Sequence, residues 1–296
     1  MAMSSQAPAT TKASPAETLR RFPWGPLLWF GVLLGAVYGP VLARMVLEWF
    51  KVEEMGHGIF VPLVAGYVIW KDRDRILGQP IEPSWWGAAL VIWGGIQLVL
   101  GTVGADFFLA RTAFLFTMVG MLWMAAGWKI VRALAFPLLL LLFMIRMPLF
   151  IYSQITLPLQ LFASQAAASA LTLLGIPVVR EGNVLELASQ RLSVVEACSG
   201  IRSLLSLSFL SLIYAYFFDH KVWMRFVLLA ASIPIAILAN ASRITLTGLV
   251  SEYKKEFAEG TYHTFEGWVI FMVALIILII THQVINRIHS LIHGQK

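Results

Sequence analysis

The sequence predicts an all-α polytopic membrane protein of about eight transmembrane helices with a small extracytoplasmic β-hairpin element, and three observations carry that reading. Hydrophobic residues make up 59% of the 296 residues and charged ones 13%, with a mean hydropathy of +0.78; soluble domains are roughly half apolar and a quarter charged. The apolar residues fall in long runs, several of them near the roughly 20 residues that a helix needs to span a bilayer. The basic residues lie in short clusters between those runs, so the net charge of +6 orients helices and does not indicate a nucleic-acid partner. One cysteine in the whole chain excludes an intrachain disulfide and a multi-cysteine metal site. No cofactor or metal ion is expected.

Residues 1–22, rich in Ala, Ser, Thr and Pro without apolar periodicity, read as a disordered tail, and 23–296 as a single integral-membrane domain. The first apolar run, about Pro26–Leu47, is long enough to stay as an anchor and does not read as a cleavable signal peptide. A second, about Ile59–Trp70, reaches spanning length only with part of the preceding polar loop, and ends at the cluster Lys71-Asp72-Arg73-Asp74-Arg75. The third (about Trp85–Val103) and fourth (about Phe107–Ala126) are joined by a tight turn near Gly104-Ala105-Asp106. The fifth, about Ala133–Tyr152, carries Pro137, Arg146 and Pro148. From Ile151 to Gly175, Gln154, Gln160, Ser164 and Gln165 interrupt Ala and Leu, a pattern that suits an amphipathic helix at the membrane interface. Ile176–Val195 then alternates β-branched with polar residues around Glu181-Gly182-Asn183, as a short hairpin or meander does. Together, about 151–198 form an extracytoplasmic insert. Spans six (about Ile201–Phe218), seven (about Phe226–Val250, with Pro234 as a kink point) and eight (about Trp268–Ile285) complete the chain. No internal repeat supports an inverted-repeat transporter.

An even number of spans puts both termini on one side, and the basic residues Lys12, Arg20, Arg21, Lys71, Arg73, Arg75, Lys129, Arg132, Lys221, Arg225, Arg287 and Lys296 mark that side as cytoplasmic. The opposite loops are richer in Glu and Asp. On this topology three distant polar residues meet at the outer face: Cys198 at the start of span six, Arg243 about two turns below the end of span seven, and His263 in the loop entering span eight.

Each has a bland and a chemical reading. A lone cysteine is often a small buried hydrophobe. If Ser199 or Gly200 opens a helix, however, free N–H groups face Cys198 and Arg202 shares its face, surroundings that favour the thiolate. An arginine inside a span is costly and faces a polar cavity or a partner, so Arg243 is functional or half of a structural ion pair. A loop histidine is usually just solvated; beside Cys198, His263 becomes a candidate base. Asn240, three residues before Arg243, shares its face and can orient it or bond across helices.

The blocks Glu196-Ala197-Cys198-Ser199-Gly200-Ile201-Arg202, Asn240-Ala241-Ser242-Arg243-Ile244 and His263 ahead of Glu266-Gly267-Trp268 resemble the signature blocks of the exosortases, and His57-Gly58-Ile59-Phe60-Val61-Pro62 also looks like theirs. The resemblance implies a bacterial inner-membrane cysteine transpeptidase or protease with Cys198 as nucleophile and Arg243 and His263 as its partners, its site on the extracytoplasmic face. Arg202, Asn240, Ser199 and Glu196 would support that site. The implied substrates are membrane-anchored proteins ending in a sorting signal of Pro-Glu-Pro motif, helix and basic end, released to water or to an acceptor such as a polysaccharide- or lipid-linked amine. Acyl transfer of this kind needs a nucleophile, a proton shuttle and a cation or N–H donors for the oxyanion.

Other polar residues carry weaker functional readings. His57 could compete with His263 as base but more simply packs in its loop; Arg180 and Arg191 could read a substrate glutamate or lie solvated. His289 and His293 have metal-like i,i+4 spacing without an evident third ligand. Trp49, Trp85 and Trp268 read as interfacial anchors. The rival to an enzyme is an anion channel or transporter using Arg146, Arg202 and Arg243, which would spread polar residues through the bilayer depth; spans three and four offer little but Arg111. A non-catalytic assembly subunit would leave Cys198 without a role.

Overall fold

The computed structural model describes residues 23–188, 190–194, 200–219, 221–253 and 261–294, so the expected tail 1–22 lies outside the described residues. The chain divides into two compact units, Met1–Arg146 and Met147–Lys296.

In the first unit the order is α1 (Trp24–Lys51), a 3₁₀ helix (Glu53–Ile59), α2 (Phe60–Lys71), α3 (Arg73–Leu77), α4 (Gly87–Val103), α5 (Phe107–Ala126), α6 (Trp128–Ala133), α7 (Ala135–Leu140) and a second 3₁₀ helix (Leu141–Met144). The expected turn joins α4 to α5: Ala105 sits at φ 52, and Asp106 caps α5 by accepting from the N–H groups of Phe108 at 2.9 Å and Leu109 at 3.2 Å. Glycines set how close these two helices come. A Cβ on Gly101 would stand 2.7 Å from the Ala110 nitrogen, and one on Gly120 2.7 Å from the Gly87 carbonyl oxygen. Such backbone-to-backbone contact is what small residues permit between membrane helices.

Polar side chains in this unit serve packing. Arg111, 3% exposed, donates to Glu48 of α1 at 2.6 Å, and the Tyr38 and Thr117 hydroxyls meet at 2.7 Å. Trp49 is not a free interfacial anchor: its indole N–H donates to the Met144 carbonyl at 3.1 Å, and its ring occupies the space over Gly58. His57 likewise packs, its Nε2 3.1 Å from the Phe143 carbonyl oxygen, and burial pushes its pKa down. Trp85, 83% exposed, remains free to anchor.

The second unit contains α8 (Leu149–Leu173), the strands β1 (Val178–Glu181), β2 (Val184–Leu187) and β3 (Arg191–Ser193), then α9 (Ile201–Phe218), α10 (Val222–Tyr253) and α11 (Thr261–His293). The strands form an antiparallel sheet in the order β1-β2-β3, a meander with Glu181 opposite Val184 and Glu186 opposite Arg191. Gly182 turns the first hairpin at φ 64, a conformation that costs glycine little. Leu185, Leu187, Leu192 and Val194 pack with Ala163, Ala167 and Leu171 of α8 and with Ala241 and Ile244 of α10.

Helix α8 corrects one expectation. Of the four polar residues that suggest an interfacial helix, Gln160 and Ser164 are buried while Leu157, Leu161 and Phe162 face out; Gln154 and Gln165 are exposed as an interfacial helix requires. The inward polar groups hold the hairpin tip, with the Ser164 hydroxyl donating to the Gly182 carbonyl at 3.0 Å and the Asn183 amide to Gln160 Oε1 at 3.2 Å.

Among the described residues five helices, α1, α5, α9, α10 and α11, are long and apolar enough to cross a membrane; counting Ala135–Met144 with Leu149–Leu173 as one span gives six. The third expected span is the shorter apolar helix α4. The second and fifth are shorter still, at 12 residues for α2 and 6 for α7. The fifth passes into a 3₁₀ helix at Leu141 and ends where Ile145 turns extended, and Pro148 keeps Met147 from resuming helical backbone. Pro234 lies inside the continuous α10. Rows of exposed Leu, Ile, Val and Trp on these helices form an apolar surface that lipid covers. The protein is an all-α multi-pass membrane protein with a small antiparallel sheet.

Near the junction of α9 and α10 lies a polar cluster that the sequence did not announce. His282 of α11 bridges two residues, with Nδ1 3.0 Å from the Tyr214 hydroxyl and Nε2 3.1 Å from Asp219 Oδ2. Asp219 also accepts from the Asn286 amide at 3.0 Å and the Lys221 backbone N–H at 2.8 Å. His289, expected at metal-like spacing with His293, sits instead 3.5 Å from the Lys221 ammonium. Burial alone would raise the Asp219 carboxyl, but these hydrogen bonds and the Lys221 charge outweigh it and hold the pKa below the usual range. A depressed folded-state pKa stabilises above the unfolded value, and that contribution is lost as pH falls through the folded one. Asp219→Asn is therefore expected to cost about 1–3 kcal/mol at neutral pH and to remove part of the acid-side loss of stability. Thermal unfolding in detergent across pH 3–7 reads both.

Candidate active site

Helix α9 begins at Ile201 behind Gly200, which takes the N-cap position in left-handed conformation at φ 69. Cys198, Ser199 and Glu196 lie outside the described residues. Arg202, in the first turn of α9, is exposed. The first N–H groups of such a helix have no partner within it, and they carry the positive end of the helix dipole.

Helix α10 supplies the second block. Asn240, Arg243, Thr247 and Ser251 recur at helical spacing on one face, and Asn240, Thr247 and Ser251 are 6%, 2% and 1% exposed. This is a buried polar stripe on a helix otherwise apolar enough to span. At one end Asn240 closes against the start of α9, where a Cβ on Gly200 would stand 2.9 Å from Asn240 Nδ2. A small cavity beside this contact is lined by Leu159, Gly200, Leu204, Ala236, Ile237 and Asn240. One turn further along α10, Arg243 meets α11: a Cβ on Gly267 would stand 3.2 Å from both Cζ and Nη2 of Arg243. The guanidinium thus lies over bare backbone.

Helix α11 begins at Thr261, two residues before His263, so His263 belongs to the first turn of the helix and not to the loop before it. It precedes Gly267 by four residues, the spacing at which two residues share a helix face. The backbone thus sets the His263 position one turn from the glycine against which Arg243 packs. The structure brings together Gly200 of the first block, Asn240 and Arg243 of the second, and Gly267 of the third.

Sequence reasoning missed Glu266 and Thr247. The Thr247 hydroxyl donates to Glu266 Oε2 at 3.1 Å and reaches Oε1 at 3.3 Å; Glu266 is 9% exposed and lies within electrostatic reach of Arg243. An acidic residue three positions after His263 at the start of an apolar run was the available signal. The two hairpin arginines are engaged within the sheet region. Arg180 donates to the Gly182 carbonyl at 2.9 Å, and Arg191 lies 3.4 Å from Glu186 and 3.8 Å from Glu181, all well exposed, where such pairs contribute little.

A multi-pass helical membrane protein in which three helix segments gather an arginine, a buried asparagine and a buried acid around two close-packed glycines is the class that fold and site define. The chain belongs to the transmembrane exosortase family: the family model described as Transmembrane exosortase (Exosortase_EpsH) matches residues 49–280, a stretch that includes all three blocks. No curated protein and no solved structure matches the chain. Exosortases as a family are membrane cysteine transpeptidases that act on membrane-anchored proteins bearing sorting signals.

Proposed function

We propose that this exosortase is a cysteine transpeptidase or protease that cleaves membrane-anchored proteins at a C-terminal Pro-Glu-Pro-type sorting signal through a thioacyl enzyme. The observation that carries this reading is the meeting of the three blocks at Gly200–Asn240 and Arg243–Gly267. Cys198 is two residues before Gly200, and covalent geometry holds their Cα atoms within about 7.6 Å.

The Cys198 thiolate attacks the scissile carbonyl, and the oxyanion that forms is stabilised by the Arg243 guanidinium together with N–H groups at the start of α9. His263 takes the thiol proton and returns it to the amine as the C–N bond breaks. An acceptor amine or water then attacks the thioester and regenerates the thiol. Arg202 raises the local positive potential that favours the thiolate. The protein sits in the bacterial inner membrane with both termini cytoplasmic and this site on the extracytoplasmic face. A substrate anchored by its own helix then arrives laterally, with its scissile bond just outside its span.

Co-expression with a protein ending in such a sorting signal tests the reading. The wild type is expected to shorten the substrate at the signal, as read by mass, whereas Cys198→Ala, present at equal level in the membrane, leaves it uncut. Cleavage that survives Cys198→Ala would remove the cysteine from the chemistry.

A further inference from the structure

Arg243 and Thr247 stand one above the other on α10 at i,i+4, facing Glu266 and Gly267, which are consecutive on α11. Of these, Thr247 is 2% exposed and Glu266 9%. A carboxylate so buried is costly unless charge and hydrogen bonds compensate it. Here the Thr247 hydroxyl donates to it at 3.1 Å, and the Arg243 charge acts on it. The Arg243 guanidinium in turn lies against the bare backbone of Gly267, where a Cβ would already stand at 3.2 Å.

We propose that Glu266, seated on Thr247, is a positioning residue for Arg243, holding the guanidinium against Gly267 at the height where it meets the oxyanion. The assignment rests on the acyl-transfer reading above, and it gives Glu266 a role that acts through Arg243. Three contributions work together. The Glu266 charge draws the guanidinium toward α11 through space, the Thr247 hydroxyl fixes the carboxylate, and Gly267 lets the planar group lie against the backbone. An arginine long enough to sample many rotamers is thereby pre-organised before charge develops, which is when a fixed donor contributes most to rate.

A purely structural ion pair would stabilise the protein without setting the geometry of catalysis, and the test separates the two. Substrate cleavage by full-length protein in membranes is compared for wild type, Cys198→Ala, Glu266→Gln, Thr247→Val and Thr247→Ser, together with the pH profile of Cys198 alkylation by a maleimide. Glu266→Gln keeps the shape and removes the charge. It is expected to lower kcat at least tenfold with KM little changed. It also shifts alkylation toward acid, because the Arg243 charge is no longer offset. Thr247→Val is expected to follow it in part, and Thr247→Ser, which keeps the hydroxyl, to restore activity. Wild-type turnover and an unshifted profile in Glu266→Gln would overturn the inference while leaving the nucleophile reading intact. Should Glu266→Gln not accumulate, equal turnover in the valine and serine variants would overturn it as well. If the wild type cuts no better than Cys198→Ala, it is the acyl-transfer reading that fails.

Discussion

Replacing Arg243 by lysine is expected to leave the protein in the membrane and to lower cleavage roughly 10²-fold or more, the range seen when one oxyanion donor is lost. Lysine keeps the positive charge, so the cost of an unpaired Glu266 is avoided and the fold survives. What it loses is the planar fork. The guanidinium lies over Gly267 as a planar fork of donors; an ammonium is a compact, strongly hydrated point charge that cannot reproduce that geometry. Turnover of the sorting-signal substrate, normalised to membrane level, measures the effect. An active Arg243→Lys alongside an Arg243→Ala that fails to accumulate would make Arg243 the cation of a structural pair.

Much of this site was legible because its residues break strong local patterns. An arginine two turns inside an apolar run is conspicuous, and so is a single cysteine at the boundary between a β-rich polar stretch and a spanning helix. The expectation that Cys198, Arg243 and His263 share one face came from counting spans and reading loop charge, and of that set the structure describes Arg243 against Gly267. That expectation needed no knowledge of how helices pack. The structure adds the contacts at Gly200 and Gly267, which no spacing in one helix could reveal, because a glycine has no side chain to mark which partner approaches it.

What was not legible depended on tertiary partners. Gln160 and Ser164 read as the wet face of an interfacial helix; they are buried because the carbonyl of Gly182 and the amide of Asn183 come to meet them. Trp49 has the position of an anchor but bonds the Met144 carbonyl, 95 residues away. Arg111 looked like a stray polar residue until α1 brought Glu48 to it. Asp219 and His282 are 63 residues apart, and nothing in either local sequence predicts that they pair. In each case the hydropathy pattern gave the element, and the partner decided which way the polar group turns.

Gly200→Ala is expected to lower cleavage at least tenfold with little loss of protein from the membrane, and its cause can be divided into two parts. The first is backbone strain: at φ 69 an ordinary side chain costs about 1–2 kcal/mol. The second is contact, since the new methyl group would stand 2.9 Å from Asn240 Nδ2 and push the amide away from the start of α9. Asparagine tolerates left-handed backbone better than alanine but is larger. If strain decides, Gly200→Asn recovers activity relative to Gly200→Ala; if the Asn240 contact decides, it is as poor or worse. The contact reading also predicts that Gly200→Ala and Asn240→Ala combine with less than additive loss, because the smaller residue at 240 makes room for the methyl group. Cleavage rates for the three single variants and the double variant, each normalised to membrane level, separate the two causes. We expect the contact to dominate, because Gly200 lies two residues from Cys198 and Asn240 one turn from Arg243, so displacing that amide disturbs both residues of the proposed reaction at once.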